Sequence, residues 1–140
     1  MSLSIYQRHL DTIPKQYQLL KLFRPPIYVI ELSNNQVSAV CYYKDGSSKR
    51  HQINADFSNR RMVIADFLSA VQAITDLLLK FPKHPFGISS FAVVNVTEEL
   101  IDGLTMIEIK AIREAVWAAS GQAKRRIVSS TVNYQGQVVS

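Results

Sequence analysis

A single cysteine, Cys41, is the whole thiol complement of the 140-residue chain, so neither an internal disulfide nor a cysteine-rich zinc site can form. Five glycines and five prolines are too few for a collagen-like or low-complexity chain. No apolar run approaches the roughly 18 residues of a membrane span, and no signal-peptide hydrophobic segment opens the sequence. Charged residues make up only 19% against 47% hydrophobic, which excludes intrinsic disorder. There is no P-loop, GxSxG elbow or dinucleotide fingerprint. What remains is material for one domain, since two would each be too small to bury a good core. The cytoplasm is the expected compartment.

Acidic residues are scarce at the two ends. Residues 1–26 hold Arg8, Lys15, Lys21 and Arg24 against Asp11, and residues 120–140 hold Lys124, Arg125 and Arg126 with no acid. Between them, nine cations face ten anions, so the net charge of +5 belongs to the termini. A nucleic-acid-binding domain more often carries its cations as a stripe on the folded face, and nucleic acid is therefore disfavoured as a partner. A neutral domain with adhesive ends fits better.

The first 26 residues read as a basic amphipathic arm, separate from a domain over 27–140. Pro14 can open a helix and Pro25-Pro26 must end it. Between them Leu19, Leu20, Leu22 and Phe23 share an apolar arc, with Lys15, Gln18 and Lys21 opposite. Such a helix can dock on its own domain, on another protein or on an anionic membrane, with Leu19, Leu20, Lys21, Leu22, Phe23 and Arg24 as the contact.

Residues 27–32, 36–43 and 48–54 read as three strands, joined by Ser33-Asn34-Asn35 and by Lys44-Asp45-Gly46-Ser47. The third is polar and suits an edge. Polar residues 54–61 lead to a helix in which Val71, Ile74, Leu77, Leu78 and Phe81 follow the helical period, with Ser69 and Gln72 at capping-box spacing and Pro82 as the stop. The run from Ile88 to Val96 suits a strand covered on both faces. Thr105 and Glu108 form a second capping-box pattern ahead of a stripe of Ile109, Ile112, Ala115, Val116 and Ala119 that runs to Gly121. Residues 125–131 offer a fifth strand, and Gly136 to Val139 a short sixth. The order β-β-β-α-β-α-β, with right-handed crossovers, gives an α/β mixed sheet of the ribonuclease-H-like fold, which is also half of an actin-type ATPase.

Several of these segments resemble the MreB family of bacterial actin homologues. Val63-Ile64-Ala65-Asp66-Phe67 before an amphipathic helix is similar to the family's segment ahead of its corresponding helix. Ala111-Ile112-Arg113-Glu114, within Thr105 to Glu114, resembles the helix after the family's next core strand, for which Phe91 to Val96 is the counterpart. Leu19 to Arg24 is similar to the segment with which some members touch membranes. The resemblance spans about residues 19–128 and implies the first lobe of an actin fold. It departs from the family where the chemistry lies. The family's first hairpin carries an aspartate-glycine-threonine turn that approaches nucleotide phosphates; here Glu31-Leu32-Ser33-Asn34-Asn35 has no glycine to admit a phosphate. The family's glutamate-glutamate-proline motif is replaced by Ser129-Ser130-Thr131. The resemblance thus implies the fold without ATP hydrolysis.

Among individual residues, Glu31 is the most suggestive carboxylate: an acid ending strand one helps bind two metal ions in ribonuclease-H-like enzymes, here with Asp66, Asp76 or Glu98 as partners. None has diagnostic spacing, and Asn95 stands where another acid would help. His9, His51 and His84 are scattered and form no metal pattern. Cys41 reads as a core residue. Trp117 lies off the stripe of its helix, as a cover for the sheet margin or an exposed anchor. Lys124, Arg125 and Arg126 read as a solvated corner or, with Trp117, as an interface.

These readings lead to a noncatalytic, MreB-like cytoskeletal or cell-shape accessory. It needs no cofactor or metal, and binds proteins or itself, with a peripheral contact at the inner membrane surface. The alternatives are a small ribonuclease-H-like nuclease or nucleotide-binding enzyme using Glu31, and an adaptor of a secretion or pilus assembly.

Overall fold

The computed structural model describes residues 2–13, 15–58, 64–83, 89–97, 103–135 and 137–139; Pro14, Val63, His84, Ile88, Glu98 and Gly136 lie outside them. Three strands, β1 (Ile27–Ser33), β2 (Gln36–Tyr42) and β3 (Ser48–Asn54), form an antiparallel meander. Its first turn places Asn35 at φ 54°, and its second places Gly46 at φ 91°, where Asp45 accepts hydrogen bonds from the Ser47 amide (2.8 Å) and hydroxyl (2.6 Å). Helix α3 (Phe67–Leu79), β4 (Ser90–Val96), helix α4 (Met106–Ala123) and β5 (Ile127–Tyr134) add two parallel crossovers, and β6 (Gln137–Val138) returns antiparallel. The strand order is β3-β2-β1-β4-β5-β6. This is the mixed α/β sheet of the ribonuclease-H-like, actin-like class.

Alternation along the strands divides the sheet into two faces. Tyr28, Ile30 and Leu32 of β1 and Ala92, Val94 and Val96 of β4 point to the helices, where they meet Val71, Ile74, Leu77, Leu78, Ile109, Ile112, Ala115, Val116 and Ala119 in one core. Thr105 caps α4 reciprocally with Glu108, as the spacing predicts. The cap of α3 differs. Asp66, in extended backbone, accepts from the Ser69 amide at 3.1 Å, so Ser69 is the third helical residue and donates to the cap. Nor does Gly121 end α4. The helix runs through it to Ala123, and Lys124 takes the left-handed conformation at φ 55°. A side chain there costs about 1 kcal/mol, which the fixing of the next residue, Arg125, helps offset.

The opposite face receives the N-terminal segment. In place of one helix between the prolines there are two: α1 (Ser2–Asp11), which the sequence reading did not identify, and the five-residue α2 (Gln18–Leu22) after a 3₁₀ turn at Lys15–Tyr17. Tyr6 and Leu10, one helical turn apart, are buried against Ile27 with Tyr42 packed beside them. The Tyr6 hydroxyl donates to the Pro25 carbonyl at 2.7 Å, and the Arg24 guanidinium lies 5.4 Å from its ring centre. Tyr17 meets Phe91 edge-on, with ring centres 5.7 Å apart.

Candidate interaction surface

At the β1–β2 turn, Asn35 Oδ1 accepts from the amides of Phe57 (2.9 Å) and Ser58 (2.7 Å). The Asn35 amide donates to Ser58 Oγ at 3.0 Å, and its carbonyl accepts from the Ala55 amide at 3.2 Å. The Phe57 carbonyl in turn accepts from the amides of Ala65 (2.7 Å) and Asp66 (3.0 Å). The left-handed conformation of Asn35, which asparagine tolerates well, thus fastens the hairpin to residues 55–58 and through them to the cap of α3.

Glu31 is exposed on the face away from α3 and α4, in register with Ser38 on one side and Asn95 on the other. Asn133 continues that row and donates from Nδ2 to Asn95 Oδ1 at 2.9 Å. Asp66 and Asp76 are engaged elsewhere: Asp66 caps α3, and Asp76 accepts from Gln72 at 2.8 Å on the helix surface. Among the described residues, no three His, Cys, Asp or Glu side chains converge to hold a metal. Cys41 is buried, and burial pushes its thiol up to about 12. His9 lies tilted against the Tyr42 ring, and His51 meets Phe81 edge-on.

The accessible apolar groups gather along α4 and the arm. Met106, Lys110, Arg113 and Trp117 recur at helical spacing on the side of α4 turned away from the core, with Ile107 beside them. Trp117 is 74% exposed, Met106 78% and Ile107 79%. Together with Tyr17 they border a hollow of about 820 Å³ between α4 and β5. A second hollow continues past Trp117 to Lys124 and Arg126. In the arm, Leu19, Leu22 and Phe23 are exposed, Arg24 is exposed, and Leu20 and Lys21 are half-buried. The six candidate contact residues therefore do not form one buried face.

The basic corner separates into two roles. Lys124 and Arg126 are exposed, as a solvated corner requires. Arg125 is a correction, being buried. It donates from Nε (3.2 Å) and an Nη (2.8 Å) to the Phe81 carbonyl, and from its other Nη (2.7 Å) to the Ala123 carbonyl. It ties the end of α3 to the end of α4, so only Trp117, Lys124 and Arg126 of that quartet face outward. Met106, Ile107 and Tyr17 were missed by sequence reasoning. The available signal was that Met106 and Ile107 precede the buried stripe and fall off its phase.

No known family and no curated protein was found to match the sequence. Among solved structures, the chain is similar to the ethanolamine utilization protein EutJ from Carboxydothermus hydrogenoformans, with 15% identity and a TM-score of 0.45 over 78% of this chain and 37% of that one. It is also similar to the Aquifex aeolicus PPX-GPPA enzyme, with 12% identity and a TM-score of 0.41 over 78% of this chain and 36% of that one. The chain spans less than two-fifths of the length of either. No helix among the described residues is long and apolar enough to cross a membrane.

Proposed function

We propose that this chain is a noncatalytic accessory of the MreB-like cytoskeletal or cell-shape kind, one that acts by binding other proteins at the inner membrane surface. The observation that carries this reading is the Asn35 clasp. In an actin-type nucleotide site the first hairpin turn must present free amides and room for a phosphate. Here the Asn35 amide, carbonyl and side chain all bond to residues 55–58. The exposed apolar groups of the arm and of α4 supply binding surface in its place, since aromatic and aliphatic anchors dominate protein interfaces. The arm supplies the membrane contact through Leu19, Leu22, Phe23 and Arg24. The test is a turnover assay on the full chain with magnesium or manganese, using ATP, RNA and DNA as substrates. No turnover above buffer is expected; turnover that vanishes in Glu31→Gln would replace this reading with an enzyme.

A further inference from the structure

Charge that is dispersed along the chain is gathered by the fold. The register sets Ile27 beside Tyr42 and Phe91, Tyr42 beside Ser48, and Ser90 beside Ile127. The sheet therefore has one end at which β1, β4 and β5 begin and β2 turns into β3. Helices α3 and α4 finish at that end, since each is followed by a strand that starts there. Residues 24–26, 43–47, 80–83 and 124–126 close it. They hold six exposed cations, Arg24, Lys44, Lys80, Lys83, Lys124 and Arg126, and one acid, Asp45, which is turned onto its own Ser47. Buried Arg125 draws two of these segments together through its bonds to the Phe81 carbonyl. At the opposite end, residues 33–36, 55–58, 64–66 and 103–105 carry Asp56 and Asp66 and no cation.

From the β2–β3 turn to β5 is three strand spacings, about 14 Å at roughly 4.8 Å each. That is narrow enough for the cations to act together as one positive field. Exposed apolar groups stand beside them. The segment from Tyr17 to Pro25 is anchored at both ends on the row of the sheet nearest this end. Tyr17 meets Phe91, and the Pro25 carbonyl accepts from Tyr6, which packs on Ile27; Ile27 and Phe91 are register partners. Between those anchors Leu19, Leu22 and Phe23 are 78%, 74% and 63% exposed. Nucleic acid would take up the cations through its phosphates and leave these side chains in water. An anionic lipid surface takes up both.

We infer that the basic end of the domain is the face that lies on an anionic lipid surface. Its six cations meet the headgroups, Leu22 and Phe23 enter the headgroup boundary, and the strands point away from the bilayer. The Asn35 end, with Asp56 and Asp66, is thereby turned outward. This inference rests on the membrane-surface reading above and names the face, the lipid chemistry and the orientation.

The experiment uses the full chain and sedimentation with vesicles of phosphatidylcholine, with or without phosphatidylserine. Two charge reversals at the basic end, Lys80→Glu with Lys83→Glu and Lys44→Glu with Arg126→Glu, are set against Lys110→Glu with Arg113→Glu. The last pair changes the net charge equally but lies at least ten residues, about 15 Å, from the end of α4. We expect binding that requires phosphatidylserine and falls roughly tenfold or more in each basic-end pair, but less than about threefold in the α4 pair. All six side chains are exposed, so an unchanged melting curve verifies each fold. A polarity-sensitive dye reads orientation, since Cys41 is buried. On Lys83→Cys its emission should shift to the blue with vesicles, and on Asp56→Cys it should not; the reverse overturns the inference. Equal loss in all three pairs overturns it in favour of net charge alone. Unchanged binding in the basic-end pairs overturns it in favour of the arm alone and leaves the membrane reading intact. Binding of duplex DNA that is lost in the basic-end pairs, without vesicle binding, overturns it in favour of nucleic acid. No vesicle binding at all removes both this inference and the membrane contact on which it rests.

Discussion

Arg125 donates two hydrogen bonds to the Phe81 carbonyl across 44 positions of sequence. Phe81 follows α3 and Arg125 follows α4, so this one guanidinium locks together the ends of both helices, with a third bond to Ala123. The charge is buried, and its stability depends on those carbonyls remaining in reach.

Arg125→Ala leaves the Phe81 and Ala123 carbonyls short of donors in a buried site. Hydrogen bonds to charged groups contribute about 1.5–3 kcal/mol each, with strong non-additivity, so a loss of roughly 2–4 kcal/mol is expected in chemical denaturation. Arg126→Ala, one residue away and exposed, should stay within about 0.5 kcal/mol. Equal effects of the two would contradict the assignment.

The His9 ring rests on Tyr42, with centres 5.3 Å apart. Burial, and secondarily the positive charge of Arg8, pull its pKa below the ordinary 6.5. The folded chain therefore holds this histidine neutral where the unfolded chain would protonate it. The resulting stability is complete above pH 6.5 and declines as pH falls from there through the lowered folded value. Docking of the arm should weaken over that window, as amide exchange in residues 2–13 would show, and His9→Gln should flatten the dependence.

Much of this fold was legible because its elements are set by local signals. Period-2 runs, Asp45-Gly46 and the Thr105–Glu108 box each fix an element with little help from the rest of the chain. The misreadings occur where tertiary context decides. Ser69 and Gln72 have capping spacing, but Asp66 lies one turn earlier in extended backbone and takes the cap. Gly121 offers a helix end, yet α4 continues until Arg125 finds its distant carbonyls. Tyr6 and Leu10 carry no local signal of burial, since only Ile27 and Tyr42, remote in sequence, give them a surface to cover. The interaction surface was half visible. Trp117 stood out of phase with its stripe, whereas the approach of Tyr17 to the same hollow depends on how the N-terminal segment lies over the sheet.

For the arm, three exposed apolar side chains are available to lipid: Leu19, Leu22 and Phe23. Each could contribute up to about 1.5–3 kcal/mol if fully buried, and each cation about 1 kcal/mol near anionic lipid. The full chain is expected to sediment with phosphatidylserine-containing vesicles, less so as salt rises, and Leu22→Glu with Phe23→Glu should abolish it. Unchanged sedimentation of that variant would remove the arm as the membrane contact.

The most direct measurement is calorimetric titration of the full chain with Mg-ATP. With the groups of Asn35 held by residues 55–58, we expect a Kd above about 1 mM, and no gain in affinity at lower salt. Saturable binding in the low-micromolar range would contradict a closed hairpin turn, and with it the assignment of this domain to protein binding rather than nucleotide chemistry.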